Sequence, residues 1–182
     1  MPNVYELRTE RLLMRRWQRR DREPFAAMNA DPEVMQHFPA MLSRAEADAF
    51  VDRVGATLEE RGWGLWAVEE LATGRFLGFT GLNVPSFTAP FMPAIEIGWR
   101  LRRDAWGSGF ATEAARGVLT VAFDDLELDE LVSFTAVPNE RSQAVMRRIG
   151  MTHDPADDFD HPLLDAGSPL RRHVLHRLRR PR

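Results

Sequence analysis

Two glycines stand two apart, Gly107 and Gly109, with Ser108 between them, in the stretch DAWGSGFATEA (104–114). The stretch joins a strand-like segment to a helix-like one. Such a turn can hold an anion, because the first amides of a helix lack intrahelical partners and the helix dipole adds partial positive charge there. Glycines let the anion come close to the backbone, and Ser108 adds a hydroxyl. A dinucleotide fingerprint would need a third glycine where Thr112 stands, and would follow the first strand of a parallel sheet rather than fall past mid-chain. A Gly-Lys phosphate loop is excluded, because all 24 basic residues are arginine. An anion cradle and a plain glycine-rich turn both remain open.

Other side chains could move protons. Glu96 lies between Ile95 and Ile97; buried there, its pKa would rise toward neutrality and suit a general base. On a solvated strand face it would instead pair with Arg100. Asn139 and Ser142 stand three apart at the start of a helix-like segment, as a cap and first-turn pair or as contacts to a bound molecule. Asp154, Asp157, Asp158 and Asp160, near His161, could attract a cationic amine or form a solvated loop. His173 and His176 are an odd number apart in a strand-like run, so they face opposite sides and make no simple metal pair. No metal site is expected.

The elements that must position these groups follow from periodicity. RLLMRRW (11–17) reads as a first strand. DREPFAAMNADPEVMQHF (21–38) reads as a short helix, a turn at Asp31-Pro32 and a second short helix. Ser43 and Glu46 form a capping box, Phe50, Val54 and Leu58 recur every four residues, and Gly62 follows, which predicts an amphipathic helix. LWAVEE (65–70) and RFLGFTGLNV (75–84) predict a hairpin around a short turn. AIEIGWRL (94–101) predicts a central strand, and ATEAARGVLTVAFDD a helix. ELVSFTAV (130–137) reads as a strand, NERSQAVMRRIG (139–150) as a helix closed by Gly150, and RRHVLHRL (171–178) as a final strand. The order predicts an α/β (α+β) domain, spanning 1–182 as one unit. Its mixed, mostly antiparallel sheet would have about six or seven strands, a central βαβ crossover and helices on both faces.

WGSGFATEA after EIGWRL resembles motif A of the GCN5-related N-acetyltransferases (the GNAT superfamily). AVPNERSQAVMRRIGM resembles that family's motif B, and LRTERLLMRRW, DPEVMQHF and the closing DFDHP…PLRRHVLHRL are similar to the RimJ/RimL-type branch of ribosomal-protein N-terminal acetyltransferases. The resemblance implies an enzyme that moves an acetyl group directly from acetyl-CoA to a primary amine. It implies that backbone amides over Gly107, Ser108, Gly109, Phe110, Ala111 and Thr112 wrap the pyrophosphate. Backbone near Trp99 to Leu101 would pair with the pantetheine arm, and Asn139 and Ser142 would lie by the thioester. Trp106 replaces the usual Arg or Gln at the start of motif A. Met146 replaces the motif B tyrosine that often protonates the leaving sulfur, and Tyr5 lies far away in sequence, so the resemblance passes that role to Ser142. Glu96 then becomes base or substrate ligand. Arg103, Arg147 and Arg148 are candidates for the 3′-phosphate of CoA. Met35, His37, Phe38, Trp63 and Trp66 are candidates to line the acceptor pocket.

Composition bounds the rest. The 182 residues, 44% hydrophobic with a net charge of −3, suit a well-buried core and lack the basic excess of a nucleic-acid binder. Zero cysteines exclude disulfides and thiolate chemistry. No apolar run reaches membrane-spanning length, and the first residues lack a signal-peptide core. A bacterial-type, cytoplasmic enzyme with a small-molecule or peptide amine as partner is expected, and a homodimer is compatible. The alternative is a non-catalytic acyl-CoA-binding or regulatory protein on the same fold.

Overall fold

The computed structural model describes residues 6–181. Tyr5 lies outside them. Among the described residues the chain forms nine strands and four helices. They run β1 (Leu7–Arg8), β2 (Leu12–Arg15), α1 (Arg22–Asn29), α2 (Arg44–Arg61), β3 (Leu65–Glu70), β4 (Arg75–Asn83), β5 (Glu96–Leu101), α3 (Phe110–Thr120), β6 (Glu130–Ala136), α4 (Glu140–Arg148), β7 (Thr152–His153), β8 (Phe159–Asp160) and β9 (Arg172–Arg179). One sheet orders them β1-β2-β3-β4-β5-β6-β9-β7, with β8 also on β9. Every pairing is antiparallel except β5 with β6, the pair joined by the α3 crossover. The six longer strands are those the alternation predicts. The three extra ones are two residues each, too short to carry a periodic signal.

Local chemistry sets the helix ends. Ser43 caps α2 by accepting from the Glu46 amide, and the Glu46 carboxylate accepts from the Ser43 amide at 2.7 Å. Gly62 closes the helix at φ 81°, a conformation glycine adopts without strain. The second short helix expected within 31–38 does not form. That segment makes isolated turns, with the Asp31 side chain accepting from the Glu33 amide at 2.9 Å. The stretch is too short to sustain a helix, and Pro39 biases Phe38 away from helical dihedrals.

The helices split between the two faces of the sheet. Ala114, Ala115 and Val118 of α3 and Val145 and Met146 of α4 pack with Trp66, Val68, Leu77 and Ile97. Phe25 and Met28 of α1 and Ala47 and Val51 of α2 pack on the opposite face with Ala67, Phe76 and Phe79. The small side chains of α3 bring it close to the sheet. At Gly117 a Cβ would come within 2.9 Å of Met14 Cε and 3.2 Å of Thr9 Cγ2, so a larger residue there would push these two side chains aside. The close approach sets the start of α3 beside the β1–β2 turn.

β5 and β6 touch at one paired position, Glu96 with Val132, backed by a bond from the Val132 amide to the Ile95 carbonyl at 3.0 Å. β5 runs on to Leu101 and β6 to Ala136 without further pairing. The two strands splay there and leave free β5 backbone facing the gap.

Candidate active site

The glycine turn is held in the shape an anion would use. Gly107 and Gly109 both take left-handed dihedrals, at φ 78° and 81°. The Glu113 amide donates to the Gly109 carbonyl at 3.0 Å, which closes the first turn of α3 and leaves the preceding amides without intrahelical acceptors. No atom lies within 4 Å of where a Gly107 Cβ would stand. Arg11 pins the turn to the β1–β2 hairpin. Its Nη1 donates to the Ser108 carbonyl at 3.0 Å, its Nε pairs with Glu113 at 2.7 Å, and its guanidinium lies 4.6 Å over Phe110. Burial opposes the charge on Glu113, but bonds from Thr9 and from the Arg11 amide and side chain outweigh it and lower the carboxyl's pKa. Glu113 therefore stays ionised and neutralises Arg11.

The turn opens onto a cavity of about 1270 Å³. Its walls include Trp99 and Leu101 on splayed β5, the run Trp106, Gly107, Gly109, Phe110, Ala111 and Thr112, and Asn139 and Ser142 at the start of α4. All of these are sequence candidates. Ser108 is not part of the lining, and it serves the turn through its carbonyl. Of the three arginines expected near a phosphate, Arg148 alone lines the cavity; Arg103 pairs with Glu33, and Arg147 lies off the wall. Arg8, Arg11, Arg116 and Arg141 also line it and were missed. Helical spacing carried a signal for two of them. Arg116 follows Thr112 by one turn of α3, and Arg141 and Arg148 lie two turns apart on α4. Arg141 stacks on Trp106 at 4.4 Å, so the aromatic that replaces the usual motif A residue supports a cation at the cavity wall.

Asn139 takes the capping use and also lines the cavity. Its Oδ1 accepts from the Ser142 amide at 3.2 Å, which caps α4, while its Nδ2 donates to Ser142 Oγ at 3.1 Å and to Thr135 Oγ1 at 2.9 Å. Ser142 Oγ thus accepts from Asn139 at the cavity wall.

Glu96 is half-buried and lies off the cavity wall. Burial pushes its carboxyl up to about 7, against a smaller opposing pull from Asn83, whose Nδ2 donates to it at 3.3 Å. The expected alternative pairing with Arg100 is not made. Four residues along a strand span about 13 Å, and Arg100 turns instead to Asn29 and to the ring of Phe38 at 3.9 Å. Between them lies Gly98, where the nearest atom to a Cβ would be Glu96 Oε1 at 3.7 Å. The sheet face is bare at that point.

On the acceptor side, His37 and Phe38 line the cavity, and burial together with the charge of Arg141 lowers the His37 pKa. Trp66 does not line it. Alternation along β3 turns Trp66 into the α3-side core, where it is fully buried. Met35 is likewise buried in the α1–α2 core, and Trp63 packs against the α3-side core. The acidic run is taken up within the fold: Asp157 pairs with Arg177, Asp160 with Arg171 and Arg172, and Asp158 shares a hydrogen bond with His153 Nε2 at 2.7 Å. Asp154 caps the short turn after it through the Ala156 amide. His176 stacks on His153 at 5.0 Å. Among the described residues, no three metal-type side chains converge and no helix is long and apolar enough to cross a membrane.

An Acetyltransferase (GNAT) domain family matches residues 11–152. An uncharacterized protein of Bacillus subtilis strain 168, YkkB, is 31% identical over 149 residues, which cover 80% of this chain and 84% of that one. The FsC-acetyl coenzyme A-N(2)-transacetylase of Aspergillus fumigatus is 32% identical over 139 residues, 72% of this chain and 58% of that protein. The ribosomal L7/L12 α-N-protein acetyltransferase RimL, solved in complex with coenzyme A, shares the fold at a TM-score of 0.75 and 16% identity, covering 97% of this chain and 98% of that one.

Proposed function

The chain belongs to the GNAT acetyltransferase family and is an acetyl-CoA-dependent N-acetyltransferase, and from that premise we propose a direct transfer run by Ser142 and Glu96. The observation that carries the proposal is one cavity that joins a left-handed glycine turn at a helix start to a serine held by a buried asparagine. The open space at Gly107 and the free amides of the first α3 turn suit the pyrophosphate, and the splayed backbone of Trp99 to Leu101 suits the pantetheine arm. Arg148 and Arg116, on facing helices, suit the 3′-phosphate. The A. fumigatus relative, named for acetyl coenzyme A, supports the same donor.

Acetyl-CoA supplies the thioester. Ser142 gives a proton toward the leaving sulfur; its hydroxyl is a weak acid, so water relays the proton. Backbone amides of splayed β5 face the developing oxyanion. Glu96, with its carboxyl near 7, accepts the proton of the attacking ammonium across the bare face at Gly98. No covalent intermediate is needed, in keeping with a chain that has no cysteine.

A thiol-release assay with acetyl-CoA and a panel of amines tests this reading. Glu96→Gln and Ser142→Ala should each lower turnover about tenfold or more with little change in acetyl-CoA affinity. Full activity in both variants would overturn the assignment. Binding of CoA with no turnover of any amine would favour a non-catalytic acyl-CoA binder.

A further inference from the structure

Among the cavity residues that the transfer chemistry leaves unused, Arg100 is partly desolvated and has no acidic partner. Arg100 lines the cavity with its guanidinium 3.9 Å over Phe38 and 5.4 Å over Phe79. One Nη donates to Asn29 Oδ1. Asn29 is fully buried, and its own Nδ2 donates to the Phe25 carbonyl at 2.7 Å, so the partner is fixed. Arg100 Nε is sealed from solvent and has no partner. Burial alone moves the Arg100 pKa, pulling it down to about 10, and no acid offsets that pull.

The contrast with Arg15 is informative. That side chain is buried, and it is neutralised by Asp21 at 2.8 Å and Glu69 at 2.7 Å. The fold thus balances Arg15 completely and leaves the half-buried Arg100 without a counter-charge at the wall of a cavity. A partly desolvated cation without an acid beside it is costly, and an arriving anion with two oxygens would relieve the cost through the terminal guanidinium nitrogens. Gly98 sits two residues before Arg100 on the same face of β5, with Glu96 two further on. Gly98 and Glu96 lie beyond the cavity lining, so an acceptor held at Arg100 would extend from the cavity along this bare face toward Glu96.

We infer that Arg100 receives the anionic group of the acceptor, so the amine acetylated here is an amino acid type compound carrying a carboxylate, not a polyamine or an aminoglycoside. This inference rests on the acetyltransferase reading and on the acceptor lying over Gly98. The phosphates of CoA are the other source of anion within the cavity, and the test separates the two.

The full chain is assayed for thiol release with saturating acetyl-CoA and paired amines: β-alanine against its amide, 4-aminobutyrate against butylamine, and spermidine alone. The carboxylate member of each pair should show a kcat/KM at least about tenfold above its partner. Arg100→Gln should erase that preference by raising KM for the carboxylate, and Arg100→Lys should restore part of it. In parallel, calorimetry reads N-acetyl-β-alanine binding to the CoA-loaded wild type and the Gln variant; binding should be lost in the variant, whether or not any amine turns over. Equal use of amides or spermidine by the wild type overturns the inference, and that result needs no variant to fold. A loss of acetyl-CoA affinity in Arg100→Gln, with the carboxylate preference intact, also overturns it and gives the anion to the donor. Arg100-dependent product binding with no turnover keeps the anion site and overturns the enzymatic reading alone. Turnover of uncharged amines without product binding does the reverse.

Discussion

Glu96→Gln should change two measurements in opposite senses. The amide keeps the shape of the carboxyl and can still accept from Asn83, but it cannot take a proton. Burial raises the Glu96 carboxyl from an ordinary 4.5 to about 7. A base at about 7 is about one-tenth ionised at pH 6 and about nine-tenths ionised at pH 8, so wild-type kcat/KM should climb about tenfold over that range, and the limb should vanish in the variant. Stability moves the other way. With its pKa raised on folding, Glu96 binds more protons in the native chain than in the unfolded one between pH 4.5 and 7, so native stability falls as pH rises through that window and then levels off. A shift of about 2.5 units corresponds to about 3 kcal/mol, and partial solvent contact reduces this to about 1–2 kcal/mol. Glu96→Gln should therefore melt about 3–6 °C above the wild type at pH 8 and converge with it below pH 5. Differential scanning calorimetry at pH 5, 6.5 and 8, beside pH–rate profiles, reads both. A Tm difference that does not vary with pH, or a pH–rate limb that survives in the variant, would refute the placement of this carboxyl as a desolvated base.

Three further outcomes follow from the geometry. Asn139→Asp keeps the helix cap but loses the donor to Ser142 Oγ, so Tm should hold while turnover falls; Asn139→Ala should lose both, with about 1 kcal/mol of stability gone. Gly107→Ala carries the strain of φ 78° and puts a methyl in the open space of the turn, so CoA affinity measured by calorimetry should weaken about tenfold. Gly74→Ala, with φ 66° in the hairpin turn, should show a similar stability loss and unchanged affinity. Arg15→Met leaves Asp21 buried without its counter-ion, which should destabilise the chain by about 3–5 kcal/mol and lower Tm by about 10 °C or more in calorimetry.

The glycine turn and the helix caps were legible in the sequence because such devices are local. The turn at Gly107 and Gly109, the helix start at Phe110 and the Asn139–Ser142 cap each need only a few consecutive residues, and each takes the expected form. The capping box of α2 was readable for the same reason. The long-range contacts around the cavity were not, because they join residues far apart in the chain. Arg100 meets Asn29 across 71 positions, and Arg11 meets Glu113 across 102. Periodicity also gave Trp66 an alternation but no face. The same period holds whether a large aromatic fills a core or lines a cavity, and packing against α3 decided for the core. Charge misled in the same manner. The acidic run near His161 looked available for a cationic amine until Arg171 and, on β9, Arg172 and Arg177 came against it. Several arginines at the cavity lack an acidic partner, and what sets Arg100 apart among them is a desolvated guanidinium whose Nε has no acceptor. Arg100 could be recognised only in the folded chain, because its significance lies in the acid that does not contact it. A pattern search for conspicuous residues passes over such a position, whereas a charge balance over the folded chain finds it and gives it a ligand class.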